Sequence, residues 1–267
     1  MITNKICNKK DFDQGWFPEM CMNIVEAPKY HRKQWEFVMM AKALEERGML
    51  VPGNKGLGFG VGTEPLPAYF ASKGCEILAT DQAITNDNAK NWTGSSQLCT
   101  SLQDLNNRKI CPDDLFKRNV KFRNVDMNYI PADMDYYDFV WSSCALEHLG
   151  TLQNGLWFII RTAALLMPGG VAVHTTEFNL SSNDETNTNS LNNIYREQDI
   201  DALIQTIRGL GLVTADPDYT RGKHNYDLYV DTWAGGWNDG SDNKPHLNLK
   251  VDGFDATSFI LIIEKPL

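Results

Sequence analysis

The stretch Lys55–Asp81 constrains the fold of this chain more than any other part of it. It reads as a strand, a glycine-rich turn, a helix, a second strand and an acid. Gly56, Gly58, Gly60 and Gly62 alternate, so the backbone can turn tightly and a ligand can approach it closely. Pro65 suits the first turn of a helix, where its missing N–H is not needed, and Gly74 is placed to end that helix. Glu76 to Thr80 is a short, mostly apolar run. Asp81 stands at its carboxyl end, 19 residues after Gly62. An acid there commonly holds the ribose hydroxyls of a nucleoside ligand. The dinucleotide fingerprint G-x-G-x-x-G does not fit. Counting from Gly56, Gly58 or Gly60, the sixth residue is Val61, Thr63 or Pro65. The plainer alternative is a glycine turn that only packs a helix onto a sheet.

Length and charge narrow the classes. At 267 residues and 42% hydrophobic content, the chain suits one sizeable α/β domain with a packed core. We divide it into an N-terminal helical extension or lid, 1–50, and a main unit, 51–267. The net charge of −9 argues against a nucleic-acid partner, which needs clustered Lys and Arg. No apolar run approaches the ~20 residues of a membrane span. The polar start, Met1 to Lys10, lacks the apolar core of a secretory signal, and the six cysteines show no C-x-x-C pair. These features point to reduced thiols and a cytoplasmic location.

Along the chain, residues 1–27 read as irregular, with Trp16, Phe17 and Met20 tucked onto the main body. Pro28 opens a helix to about Arg47, with Trp35, Val38, Met39 and Leu44 on its apolar face. Its first turn offers Tyr30, His31 and Arg32 as acceptor-binding candidates; the alternative is a solvated basic turn. Trp92, in a polar segment, is a candidate cover for an adenine ring, or simple packing. Further strands are expected at Asn119–Val125, Tyr137–Ser143 and Val171–Thr175, and helices at Leu152–Met167 and Glu197–Leu210. Tyr226–Val230 and Thr257–Glu264 read as two final strands. This alternation predicts a mostly parallel sheet with helices on both faces, binding its ligand beyond the carboxyl ends of the strands.

The order of motifs from Gly56 to about Gly170 resembles the class I S-adenosylmethionine-dependent methyltransferases. The run Gly58-Phe59-Gly60-Val61-Gly62 resembles their first motif, Asp138-Phe-Val-Trp-Ser-Ser-Cys-Ala-Leu-Glu-His-Leu their fourth-strand motif, and Leu166-Met-Pro-Gly-Gly the turn into the fifth strand. The resemblance implies a Rossmann-like, doubly wound seven-stranded sheet with an antiparallel final hairpin. It implies S-adenosylmethionine as cofactor, held by Gly58, Phe59, Gly60, Asp81, Asp126, Met127 and Ser142, with Asp126 on the adenine amino group. Gln82 is a neutral amide able to reach the adenine or ribose edge. The family carries an acid two residues before its first glycine; here that residue is Gly56. Glu64 is the nearest replacement and is expected close to the methionine moiety.

Methyl transfer to a hydroxyl needs alignment and a base. His148 is the leading base, His174 the second, with Glu177 able to orient an imidazole; a bracing role for either histidine is the alternative. Some family members bind a divalent ion through E-x-x-E-H. Here the pattern is Cys144-x-x-Glu147-His148, so Glu147 and His148 remain a possible metal pair with the first acid missing. The stretches HRKQWE, GFGVGTEPLPAYFA, ALEHLG and HTTEFN resemble bacterial methyltransferases associated with surface-glycan assembly, which implies a glycan or small-molecule acceptor. Trp233, Trp237 and His246 are of the type that stacks on sugars, or belong to an ordinary surface loop.

Overall fold

A computed structural model describes residues 1–83, 99, 101–188, 192–232, 234 and 236–267. Trp92 and Trp233 lie outside the described residues. In chain order the elements are β1 (Lys5–Ile6), α1 (Lys9–Phe12), α2 (Phe17–Asn23), α3 (Arg32–Glu46), β2 (Lys55–Phe59), α4 (Leu66–Ser72), β3 (Glu76–Asp81) and α5 (Asp113–Asn119). There follow β4 (Val120–Asn124), β5 (Tyr137–Ser143), α6 (Leu152–Ala164), β6 (Leu166–Asn179), α7 (Glu197–Gly209), α8 (Asn225–Leu228), β7 (Asn248–Val251) and β8 (Phe254–Glu264).

The strands form one sheet in the order β1-β8-β6-β5-β2-β3-β4, with β7 paired to β8. The run β6-β5-β2-β3-β4 is parallel; β8 is antiparallel to β6, β1 and β7. One core cluster lies under α3, α4 and α5, and a second under α6 and α7. The sheet is therefore doubly wound and Rossmann-like. Strand order reverses between β2 and β5, the place where such sheets open a ligand crevice.

The glycine row has two physical causes. Gly56 pairs in register with Phe139, and Gly58 with Trp141. A Cβ on Gly56 would meet the Phe139 ring at 2.4 Å, and one on Gly58 the Trp141 ring at 2.4 Å. Both rings are fully buried, and Phe70 packs edge-on against each, with centroids 5.4 and 5.0 Å away. Burying a ring of this size stabilises by roughly 1.5–3 kcal/mol, so these two glycines serve the core. The turn itself belongs to Gly60 (φ +59°) and Gly62 (φ +49°), which take left-handed conformations.

Residues 1–50 share the first core cluster with the sheet. Phe17, Met20, Trp35, Val38 and Leu44 are buried there beside Phe139 and Trp141. The irregular start expected from sequence instead contains β1, α1 and α2, and β1 supplies an eighth strand. The strand expected at Tyr226–Val230 is absent. His224 caps that segment by accepting from Tyr226 N, and Asp227 accepts from His224 N, winding it into α8. The antiparallel hairpin at the end of the chain is made by β7 and β8. Pro168-Gly169-Gly170 lies inside β6 as an irregular start, where the pairing slips from Tyr137–Leu166 to Phe139–Val171. Among the described residues no helix is long and apolar enough to cross a membrane, and all six cysteines are free and buried.

Candidate active site

A cavity of about 380 Å³ opens beyond the carboxyl ends of β2, β3, β4 and β5. This size falls within the range of small-molecule sites. Its floor is the glycine turn from Gly60 to Glu64. One side is formed by Asp81, Gln82 and Val125 to Asn128, another by Ser143 to Ala145, His148 and Leu149. Glu26, Lys33, Phe37 and Arg108 close it from α3 and the neighbouring loops.

The turn is shaped around absent side chains. A Cβ on Gly60 would lie 2.8 Å from Ala145 Cβ and 3.3 Å from Met127 Sδ. Gly62 N donates to Asp81 Oδ2 at 3.0 Å, as does Cys99 N, while Gln82 N donates to Oδ1 at 2.8 Å. A carboxylate offers about four lone-pair sites, and donors among the described residues take three, so the one that remains beside them can take a ligand hydroxyl. Burial raises the Asp81 pKa, against the opposing pull of these three N–H groups. Asp126 Oδ1 accepts from Asn128 N at 2.9 Å, which fixes its carboxylate at the cavity edge.

Glu64 stands on the same wall. It is almost fully buried, and its Oε1 accepts from Trp141 Nε1 at 2.6 Å. Burial pushes its pKa up to about 8, partly offset by the Trp141 hydrogen bond and by Lys33. His148 ends a 3₁₀ turn, Leu146–His148, and is half-buried on the cavity wall. Cys144 creates that turn by leaving β5 in a left-handed conformation (φ +43°), which is costly for a residue with a Cβ.

Of the residues singled out from sequence, Gly60, Glu64, Asp81, Gln82, Asp126, Met127 and His148 meet at the cavity. Gly58, Phe59 and Ser142 are not on its wall. Gly58 is covered by Trp141, Phe59 packs edge-on against Phe158, and Ser142 Oγ lies 2.8 Å from His174 Nδ1. The fully buried His174 ring is also 3.2 Å from Thr162 Oγ1, and burial lowers its pKa to about 3. It is a neutral core histidine between β5, β6 and α6.

Tyr30, His31 and Arg32 also lie off the cavity wall. Tyr30 packs on Phe12 and Tyr226. His31 caps α3 by accepting from Lys33 N and lies against His246, which in turn meets Trp237. Arg32 turns inward, with Nη2 2.6 Å from Glu177 and Nη1 3.2 Å from Glu36. Lys33 Nζ is 3.0 Å from Glu36 and also reaches the cavity. Glu147 accepts from Thr176 at 3.3 Å in the same buried cluster. Glu36 and Glu177 are thus paired with these two cations, whereas Glu147 Oε1 is buried without a hydrogen-bond partner among the described residues. Burial holds Glu147 above the ordinary carboxylate range. Burial would also raise Glu36, but Lys33 and Arg32 hold it at about 2.

Arg32 occupies part of the space that a divalent ion at this cluster would need. Among the described residues the converging donors are Cys144, Glu147 and Glu177, whose ligand atoms lie within 4.8 Å of one another, and His148 is not among them. The Arg32 guanidinium already stands at these donors, 3.7 Å from Cys144 Sγ as well as on Glu177. Burial keeps the Cys144 thiol protonated. The sequence pair Glu147 and His148 is therefore divided, one member in the buried cluster and the other on the cavity wall.

Sequence reasoning missed Lys33, Phe37, Glu26 and Arg108 as wall residues. Lys33 belonged to the basic turn already noted, but helical geometry sends it and Arg32 in different directions. Glu26 and Arg108 are an ion pair joining two loops, for which no local pattern exists.

No protein-family model matches this chain, and no curated protein matches its sequence. Its backbone resembles several solved structures. One is magnesium protoporphyrin IX methyltransferase from Synechocystis PCC 6803 with bound S-adenosylhomocysteine (14% identity, 96% of this chain and 100% of that chain, TM-score 0.48). Another is a SAM-dependent methyltransferase from Aquifex aeolicus (13% identity, 84% and 88%, TM-score 0.43). A third, from Geobacter sulfurreducens, is a SAM-dependent methyltransferase in complex with S-adenosyl-L-homocysteine (17% identity, 66% and 64%, TM-score 0.42). At such identities the likeness concerns the path of the backbone alone.

Proposed function

We propose that this chain is an S-adenosylmethionine-dependent methyltransferase acting on a hydroxyl of a sugar, glycan or other small acceptor. The observation that carries the reading is the convergence of the glycine turn, Asp81 and Asp126 on one cavity at the strand-order reversal. When bound, the cofactor supplies an electrophilic methyl group on a sulfonium sulfur. The residues present fit such a group. Asp81 has a remaining acceptor site for a ribose hydroxyl, and Asp126 can accept from an exocyclic amine. The backbone at Gly60 is left bare where a Cβ would collide with Ala145.

The chain's own contribution to chemistry is alignment and proton removal. His148 is the base of this reading, because it is the histidine of the fourth-strand motif that reaches the cavity wall. His174 and Glu177 leave the catalytic reading, one as a core histidine and the other as the partner of Arg32. The sugar acceptor rests on the sequence resemblance alone, since Trp237 and His246 pack on each other away from the cavity wall. Titration calorimetry with S-adenosylhomocysteine tests the cofactor reading. Binding is expected, weakened by about ten- to a hundredfold in Asp81→Ala, the scale of losing one charge-assisted hydrogen bond to a ligand hydroxyl. Absence of binding by the unaltered protein sinks it. Mass spectrometry of glycan extracts incubated with labelled cofactor identifies the acceptor.

A further inference from the structure

The acids at this cavity differ in what surrounds them. The glycine strand itself cannot carry one, because a side chain at Gly56 would enter the Phe139 ring at 2.4 Å. Asp81 is engaged by three backbone N–H groups. Glu26 is paired with Arg108, and Lys33 is held by Glu36 at 3.0 Å. Glu64 is different. It is almost fully buried, it forms part of the wall, and its hydrogen-bond donor is the neutral indole of Trp141. Among the described residues no lysine, arginine or histidine stands within ion-pairing distance of it. A buried carboxyl with a neutral partner favours its uncharged form until a cation arrives.

Resting on the methyltransferase reading, we propose that Glu64 is a proton-exchanging cation site: it carries a proton while the cavity holds no ligand, and releases it to solvent when the ammonium of the cofactor's amino acid end docks beside it. The O–H bond of the carboxyl breaks, its electron pair stays on the carboxylate, and the proton passes to buffer. No bond to the ligand is formed.

The groups that bear on Glu64 come from several elements. Burial raises its pKa to about 8. Trp141 on β5 and Lys33 on α3 pull it down, while Asp81 at the end of β3 and Glu36 on α3 push it up. A group at about 8 is protonated at roughly ten to one at pH 7, so the expected release there is about 0.9 proton per ligand bound.

The probe is S-adenosylhomocysteine, which keeps the ammonium and lacks the sulfonium charge. Calorimetric titrations at pH 7 in phosphate and in Tris, whose ionisation enthalpies differ, count the protons released. The dissociation constant is expected to tighten nearly tenfold per pH unit between about pH 6 and 7.5. Glu64→Gln keeps an acceptor for the Trp141 N–H. It should abolish both the release and the pH slope, and weaken binding at pH 7.5 by about ten- to a hundredfold. Trp141→Phe removes the donor that favours the charged form, so at pH 8 its release should exceed the roughly half a proton expected of the parent protein. Tight binding without proton release overturns the proposal and leaves the methyltransferase reading standing. Release that persists in Glu64→Gln, or is unmoved in Trp141→Phe, also overturns it. No binding by the parent protein removes both.

Discussion

Four buried glutamates occupy two neighbouring regions of this molecule, and Glu36 and Glu177 are treated in the opposite way to Glu64. Glu36, Glu147 and Glu177 lie in a cluster beneath the cavity with Arg32 and Lys33, and Ser258, Ser143 and Thr176 supply hydroxyl donors. Glu64 lies on the cavity wall with an indole N–H. Burial raises the cost of charge in both places. The cluster meets it at Glu36 and Glu177 with cations from α3, and so ties that helix to the carboxyl ends of β5 and β6 and to the amino-terminal half of β8. The wall leaves the demand open. A buried acid whose counter-charge is internal is architecture; one whose counter-charge is missing is a place for a ligand.

The comparison breaks most visibly if the cluster is not structural. Arg32→Ala leaves three buried carboxylates with one cation, and removing one partner of a buried pair costs about 3–5 kcal/mol. Chemical denaturation should show a loss of that order. A loss below about 1 kcal/mol means that the cluster is solvated and the contrast with Glu64 is empty.

His148 tests the cavity side by rate. A positioned base contributes about 10²–10⁴ in turnover, so His148→Ala should lower it by that factor while S-adenosylhomocysteine still binds within about twofold. His174→Ala should instead lower stability, because it removes a buried ring that touches Ser142 and Thr162. Turnover retained in His148→Ala, measured with labelled cofactor on the acceptor pool, removes the base assignment.

Glu64 also makes a prediction about stability. Its folded pKa of about 8 lies above the ordinary 4.5, so the native state binds its proton more tightly than the unfolded chain. The stabilisation this gives is complete below about pH 4.5 and is lost as the pH rises through 8. Glu64→Gln does not titrate. Without ligand it should therefore match the parent protein near pH 4 and exceed it by about 4 kcal/mol at pH 8. Thermal melts at the two pH values check this, and equal stability at both denies that the acid is held without a counter-charge.

Much of this was legible in the sequence, for reasons that differ by residue. The unit from Lys55 to Asp81 announces itself because strand, turn and helix signals are local. Asp81, Asp126 and His148 stand at strand ends, where a linear motif and a cavity wall coincide. The pairing of Gly56 with Phe139 and of Gly58 with Trp141 joins residues 83 positions apart in each case, and no local pattern encodes it. Read linearly, four glycines look like one loop, although two of them make room for rings. The same limit hid the inward turn of Arg32, whose partner Glu177 lies on a distant strand. It also hid β1, two residues long and recognisable only beside β8. Tyr226–Val230 misled because its alternation suggested a strand while the His224 and Asp227 caps wind it into a helix.

Lys33 belongs to both regions and gives the smallest and most discriminating effect. Its ammonium pairs with Glu36, yet its side chain is 38% exposed and reaches the cavity. Water therefore screens much of its charge, and Lys33→Met should cost only about 1 kcal/mol or less, well below Arg32→Ala. The same substitution removes a positive charge that lowers the Glu64 pKa, so that pKa must rise. The pH at which S-adenosylhomocysteine binding stops releasing a proton should move upward in step. A loss of stability as large as that of Arg32→Ala makes Lys33 part of the architecture. An unmoved proton-release midpoint makes the two regions electrostatically separate, and the wall acid then acts without its neighbour.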